Sequence, residues 1–348
     1  MRTLTVRPGV ADSVALADID APPADGAVLV DGVCVGLCGT DSEIVAAKYG
    51  EAPPDADHLA LGHENLGRVA QAPPGSGLAA GDLVVGIVRR PDPVPCPACA
   101  AGEWDMCRNG RPTEHGIKGL HEFACERWRA EPDALVRLSP DLAEVGVLLE
   151  PTTIVSKRGS TWTGSASAFW APEVVAVTGA GPVGLLAALL GVQRGLRVHG
   201  FDRVSSGPKP QLVADLGATY QTESLPDSGI AADVTVECTG VPSVIVDAMT
   251  HSATDAAVCL TGVSSTGTAI PVDIGEFNRK MVLRNDVLFG SVNANRRHYE
   301  AAAALSAADR SWLGHLITRR VPLSDFRDAF TRRPDDAKIV LELLEAQR

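Results

Sequence analysis

The chain has 348 residues, 31 basic against 43 acidic side chains and a net charge of −12. That length exceeds what one hydrophobic core supports and points to about two domains, while 45% apolar and 21% charged residues describe a chain that folds rather than one that stays disordered. The acidic balance excludes the basic footprint of a nucleic-acid binder or of an anionic membrane surface and leaves a small molecule as the expected partner.

The opening Met1 to Pro8 carries no apolar stretch of the signal-peptide kind. The longest apolar run, Val183 to Val192, falls short of the ~20 residues that cross a bilayer. A cytoplasmic protein free of membrane is expected, in which the 8 cysteines stay reduced. From Val28 to about Val136 short apolar runs alternate with Gly and Pro, as in Val28-Leu29-Val30, Val33-Cys34-Val35 and Leu83-Val84-Val85, the pattern of short strands and turns. Within it Cys96, Cys99 and Cys107 cluster, which suggests a metal. The scattered Cys34, Cys125, Cys238 and Cys259 read as small buried apolar residues.

A boundary is expected near Pro151 to Pro172, where Gly159 to Trp170 reads as a loop, with a helix beginning near Ile154 as the alternative. The pattern then becomes βαβ: a strand at Val174 to Thr178, a helix at Val183 to Arg194, a strand at Arg197 to Phe201 and a helix at Pro208 to Leu216. Further strands are expected at Asp233 to Glu237, Ala257 to Thr261 and Val287 to Phe289, completing an α/β doubly wound parallel sheet.

Gly179-Ala180-Gly181-Pro182-Val183-Gly184 joins the first of these strands to its helix. Its first glycine permits a tight turn, its second lets backbone approach a pyrophosphate, and its third lets helix and strand pack closely; the phosphates then meet the free N–H groups of the helix N-terminus. Asp202, ending the next strand, can accept from the adenosine ribose hydroxyls and favours NAD, whereas Arg203 offers charge to a 2′-phosphate and leaves NADP open. Upstream, Cys38 in a glycine-rich bend, His63 beside Glu64, and Glu150 supply thiolate, imidazole and carboxylate, the three-ligand set of a catalytic zinc with one open position.

Gly36-Leu37-Cys38-Gly39-Thr40-Asp41, Gly62-His63-Glu64 and Gly-Ala-Gly-Pro-Val-Gly, in that order, resemble the zinc-containing medium-chain alcohol dehydrogenases. Val88 to Pro91, Thr113 to Ile117, Gly146 to Pro151 and Asn285 to Tyr299 are most similar to the archaeal-type glucose 1-dehydrogenases. The resemblance implies a GroES-like β-barrel catalytic domain from residues 1–152 and 296–348, with a Rossmann domain of residues 153–295 inserted. It implies zinc at Cys38, His63, Glu150 and, in some states, Glu64, with Thr40 beginning a proton relay and Glu114 accepting a sugar hydroxyl. Asn293 is placed to contact nicotinamide or substrate, and His298 reads as a surface or core histidine. A homo-oligomer, dimer or tetramer, is implied, pairing through an edge strand at Val287 to Phe289.

Two positions depart from the family pattern. Pro93 stands where the structural zinc lobe has its first cysteine, leaving Cys96, Cys99 and Cys107 with Asp92 or His115 as fourth-ligand candidates. Asp202 stands where related sugar dehydrogenases often carry arginine. The expected activity is transfer of a hydride from a sugar or polyol hydroxyl to NAD(P), with zinc as Lewis acid. Alternatives are another polyhydroxylated substrate such as an aminocyclitol or nucleoside, a secondary alcohol, a zinc-free quinone or enone reductase, and an inactive dinucleotide-binding protein.

Overall fold

The computed structural model describes residues 1–20, 26–157, 170–264 and 267–344. Two compact units emerge, one formed by Met1–Glu150 with Asn293–Arg348 and one by Pro151–Val292.

The first unit is built on a seven-stranded sheet. Its order runs Leu135–Leu138, Leu83–Gly86, Glu64–Gln71, Val28–Leu37, Lys338–Glu342 and Ile317–Pro322, and Arg127–Ala130 also pairs with Val28–Leu37. The two short runs at Val28 and Val33 are thus one ten-residue strand, continuous through Asp31-Gly32. Glycine is required there, because a Cβ at Gly32 would collide with the Cys125 carbonyl oxygen. Val28, Val30, Val35 and Leu37 of this strand share a core with Leu4, Leu61, Phe123 and Trp128, the last four essentially inaccessible to solvent. The Phe123 and Trp128 rings meet edge to face at 4.7 Å, and burial of each such side chain contributes on the order of 1.5–3 kcal/mol. Lys338–Glu342 inserts between two strands of this sheet, antiparallel to Val28–Leu37 and parallel to the edge strand Ile317–Pro322. A small sheet of Arg89–Arg90, Thr113–His115 and Gly119–Leu120 stands beside it in sequence and carries Glu114.

The second unit is a six-stranded parallel sheet in the order Thr219–Gln221, Arg197–Phe201, Val174–Thr178, Val234–Glu237, Ala257–Leu260, Val287–Gly290. The order reverses direction at Val174–Thr178, the switch point at whose carboxyl end open α/β sheets bind ligands. The helix that follows, Pro182–Gln193, is buried from Gly184 to Gly191, which accounts for its unbroken apolar sequence. Four elements differ from the sequence expectation. Thr219–Gln221 adds a short polar edge strand, Pro242–Thr250 and Ile274–Arg284 each add a helix, and the helix expected to begin near Ile154 instead spans Leu149–Val155 and ends there. Pro151 sits in the first turn of that helix, where its missing N–H has no partner to lose. Most of the expected Gly159 to Trp170 loop lies outside the described residues. Among the described residues no helix is long and apolar enough to cross a membrane.

Candidate active site and nucleotide loop

Cys38 ends the Val28–Leu37 strand and caps the Gly39–Val45 helix, its Sγ accepting from the Thr40 N–H at 3.3 Å. Its own N–H donates to Asp41 Oδ2 at 2.9 Å, closing a capping box that fixes both side chains. His63 lies one residue before the Glu64–Gln71 strand, and its Nε2 meets Cys38 Sγ at 3.2 Å. Its other nitrogen, Nδ1, is 3.4 Å from Asp41 Oδ1, the carboxylate-backed histidine common at metal sites. Burial opposes a charge on His63, yet Asp41 and Cys38 outweigh it and hold the imidazole well above its ordinary value. Burial likewise opposes the Asp41 charge, but His63 and the Cys38 N–H hold that carboxyl low.

Glu64 faces Gly36 across the sheet, and a Cβ on Gly36 would occupy the place of the Glu64 carboxylate. That carboxylate accepts from Lys338 Nζ, which also donates to the Leu37 carbonyl at 3.0 Å. Both partners are buried, at 3% and 1% side-chain exposure. The ligand atoms of Cys38, His63 and Glu64 all lie within 4.8 Å of one another. Glu150, in the first turn of its helix, stands outside that trio but shares its field: burial, then Glu64, raises its carboxyl to about 7, while His63 and Lys338 oppose. Thiolate, imidazole and carboxylates gathered in a buried cradle, with the histidine backed by an aspartate, fit a zinc ion. Thr40 is half-buried on the same capping turn.

Glu114 is buried, and its Oε1 receives three donors: Arg89 Nε at 2.9 Å, Arg89 Nη2 at 2.7 Å and Asn293 Nδ2 at 2.5 Å. Asn293 therefore sits on Glu114 in the first unit, held at φ +58°. His298 is a buried core histidine, 3.7 Å from Asp105 Oδ2. Cys96, Cys99 and Cys107 bring their sulfurs within 4.8 Å of one another, with Cys96 and Cys99 3.7 Å apart. Zinc–sulfur bonds of about 2.3 Å in a tetrahedron place sulfurs about 3.8 Å apart, so the trio fits the ion as well. The Arg108 N–H on Cys96 Sγ, then that of Cys99, lowers the Cys96 thiol to about 6, while burial raises Cys99. Neither fourth-ligand candidate belongs to this trio. Asp92 Oδ1 accepts from Val94 N–H, and His115 Nδ1 is engaged at 2.8 Å by the His121 carbonyl and at 3.0 Å by Glu122.

In the second unit Gly179 turns at φ +93°, and a Cβ on Gly184 would strike the Gly179 carbonyl. Gly181 caps the helix without any side-chain bond, and Pro182 and Val183 open it, leaving first-turn N–H groups for an anion. Asp202 ends its strand as expected and is held there by protein donors. Its Oδ2 already accepts from Ala180 N–H at 2.9 Å and Lys209 Nζ at 3.2 Å, and its Oδ1 from Val204 N–H at 3.1 Å, while Arg203 is exposed. Asp41, Arg89, Lys209 and Lys338 are the participants that sequence reasoning assigned no part. Asp41 alone had a local signal, three residues after Cys38 at a capping-box position.

Two family profiles cover the chain, "Alcohol dehydrogenase GroES-like domain" over residues 24–139 and "Glucose dehydrogenase C-terminus" over residues 143–343. Glucose 1-dehydrogenase 2 of Vulcanisaeta moutnovskia is 37% identical, aligned over 99% of this chain and 100% of its own. Glucose 1-dehydrogenase of Methanocella arvoryzae is 36% identical over 99% of both. The solved Haloferax mediterranei glucose dehydrogenase in complex with NADP, Zn and gluconolactone superposes with a TM-score of 0.91 at 34% identity, over 99% of this chain and 100% of that one. With profiles for both parts and relatives that match it end to end, the chain belongs to the glucose dehydrogenase group of the zinc-containing medium-chain dehydrogenases.

Proposed function

We propose that this protein is a zinc-dependent dehydrogenase that moves a hydride from the anomeric C–H of glucose or a closely related sugar to NAD(P). The observation that carries this reading is the trio of half-buried Cys38 with buried His63 and Glu64, backed by Asp41 and Lys338 and found in the same unit as the Arg89-clamped Glu114. Bound zinc supplies a Lewis acid that acidifies the sugar hydroxyl. Cys38 and His63 hold the ion with Glu150 or Glu64, and Asp41 fixes the histidine ring. Thr40, half-exposed, relays the hydroxyl proton: its Oγ1 accepts that proton as its own O–H proton leaves to solvent. Glu114 keeps Oε2 for a second sugar hydroxyl because its three protein donors end on Oε1. The Gly179–Gly184 turn and the first turn of Pro182–Gln193 hold the pyrophosphate. Loss of a hydride and a proton from a cyclic sugar at its anomeric carbon yields the lactone, the class of ligand held by the Haloferax enzyme.

A panel of aldoses, polyols and simple secondary alcohols, with NAD and NADP in parallel and reduced cofactor followed by absorbance, tests the reading. Turnover of aldoses well above that of simple alcohols is expected. Turnover confined to simple alcohols overturns it.

The subunits associate through the edge of the parallel sheet. Ile274, Val282 and Leu283 are 70%, 68% and 66% exposed, and Val287–Gly290 is the last strand of the sheet. Such apolar exposure beside an open edge suits a second copy of the chain. Sedimentation at micromolar concentration showing only a 36.3 kDa species refutes the association. The free cysteines among the described residues accord with a reducing, cytoplasmic setting.

A further inference from the structure

The segment between Cys99 and Cys107 carries Glu103, Trp104 and Asp105, and each is bonded to the stretch that follows the second unit. Glu103 Oε2 accepts from Asn295 Nδ2 at 2.8 Å and from Arg297 Nη2 at 2.7 Å. Trp104 Nε1 donates to the Ala294 carbonyl at 3.2 Å. Asp105 Oδ1 accepts from Asn295 Nδ2 at 2.7 Å, with the aspartate side chain fully buried. The Asp105 carbonyl also accepts from Arg89 Nη1 at 3.2 Å. Arg89 and Asn293, the two residues that grip Glu114, are therefore each tied to this loop: Arg89 directly, and Asn293 through its neighbours Ala294 and Asn295.

The loop's two ends are brought together by the three sulfurs, which have the spacing of a metal–thiolate site. We propose that occupancy of the Cys96, Cys99 and Cys107 lobe, where the family pattern places a structural zinc, positions the sugar-binding carboxylate. With the ion in place, Glu103 to Asp105 hold Arg89 and Asn293 around Glu114 Oε1 and aim Oε2 at the sugar. Without it the cross-link between Cys99 and Cys107 is gone, the grip on Glu114 loosens, and sugar affinity falls while Cys38, His63 and the nucleotide loop are untouched. The inference rests on the reading of Glu114 as a sugar acceptor given above.

Cys99→Ser and Glu103→Gln, each prepared with zinc, test it. The readouts are zinc content, calorimetric binding of 1,5-anhydroglucitol, which lacks the reacting hydroxyl, and NADPH binding by fluorescence. Cys99→Ser is expected to lose one zinc per chain and to bind the sugar analogue about tenfold more weakly, within the range of couplings between linked sites. NADPH affinity and kcat stay within about twofold. Glu103→Gln is expected to keep its zinc, to weaken the analogue similarly, and to make the double variant no worse than either single one. The proposal is overturned if Cys99→Ser keeps its zinc, if it loses zinc yet binds the analogue normally, if sugar, NADPH and kcat all fail together, or if Glu103→Gln binds as wild type. Glu114→Gln separates the two readings: normal analogue binding there refutes the part given to Glu114, whereas weakened binding there with normal binding in Cys99→Ser refutes only the lobe's part.

Discussion

Replacing Lys338 by methionine tests how the metal cradle is held. The side chain keeps its bulk, but Glu64 loses its cation in a place where the pair is 1% and 3% exposed, and the Leu37 carbonyl loses its donor. Removing one partner of a buried ion pair costs about 3–5 kcal/mol, because the remaining charge is left without compensation. For a folding unit of roughly 200 residues, each kcal/mol moves Tm by about 2–4 °C, so zinc-stripped Lys338→Met should melt about 6–20 °C below wild type by near-ultraviolet circular dichroism. Glu64→Gln combined with Lys338→Met removes both charges and should recover all but about 1–2 kcal/mol, the share of the lost carbonyl bond. Zinc should narrow the gap for the single variant, since the ion supplies charge beside Glu64. A single variant melting within about 2 °C of wild type, or a double variant melting below the single one, refutes the assignment of the pair as the support of this cradle.

Asp41→Asn should weaken zinc binding by about 10- to 100-fold in chelator competition, because it removes the carboxylate that orients His63; unchanged affinity rules that part out. Burial raises Glu150 to about 7 from 4.5 in the metal-free fold, so the folded chain keeps a proton the unfolded chain has shed, and stability falls as pH rises through that window. Glu150→Gln should flatten the decline in urea midpoints between about pH 4.5 and 7, and an equal slope in both proteins contradicts the raised carboxyl. Lys209→Met should weaken NADP binding about tenfold, a charge-assisted contact's worth, while freeing Asp202 for the ribose and sparing NAD. Equal losses for both nucleotides would assign Lys209 to the loop's structure alone.

The parallel sheet was legible in the sequence because its signals are local. Val174 to Gly184 contains strand, turn and helix within eleven consecutive residues, and Gly184 is needed by a contact only five residues back. Cys38, His63 and Glu114 were legible through short motifs. The residues that support them were not, because Lys338 meets Glu64 across 274 positions and Asn293 meets Glu114 across 179. No periodicity or spacing encodes such pairs; they exist only once strands take their order in the sheet. Lys338 in particular reads as the polar start of an ordinary apolar strand. Asp202 was legible as a strand-end acid, but not its occupation by Ala180 and Lys209, which depends on how two loops close. The Leu149–Val155 helix starts ahead of the boundary the sequence suggests, because Pro151 lies in its first turn, where proline is tolerated, and does not end it.

The insertion of Lys338–Glu342 between Val28–Leu37 and Ile317–Pro322 has a consequence for biosynthesis. Cys38, His63, Glu64 and Glu150 are all translated long before Lys338, which follows Glu150 by nearly two hundred residues. At about 5–20 residues per second the ribosome needs roughly 10–40 s to cover that interval. Throughout it the Cys34–Leu37 half of the Val28–Leu37 strand presents the edge later taken by Lys338–Glu342, Arg127–Ala130 covering only Val28–Asp31, and Glu64 waits for its cation. The nascent chain thus spends tens of seconds with an open sheet edge, while the inserted Pro151–Val292 unit, complete in itself, can fold first.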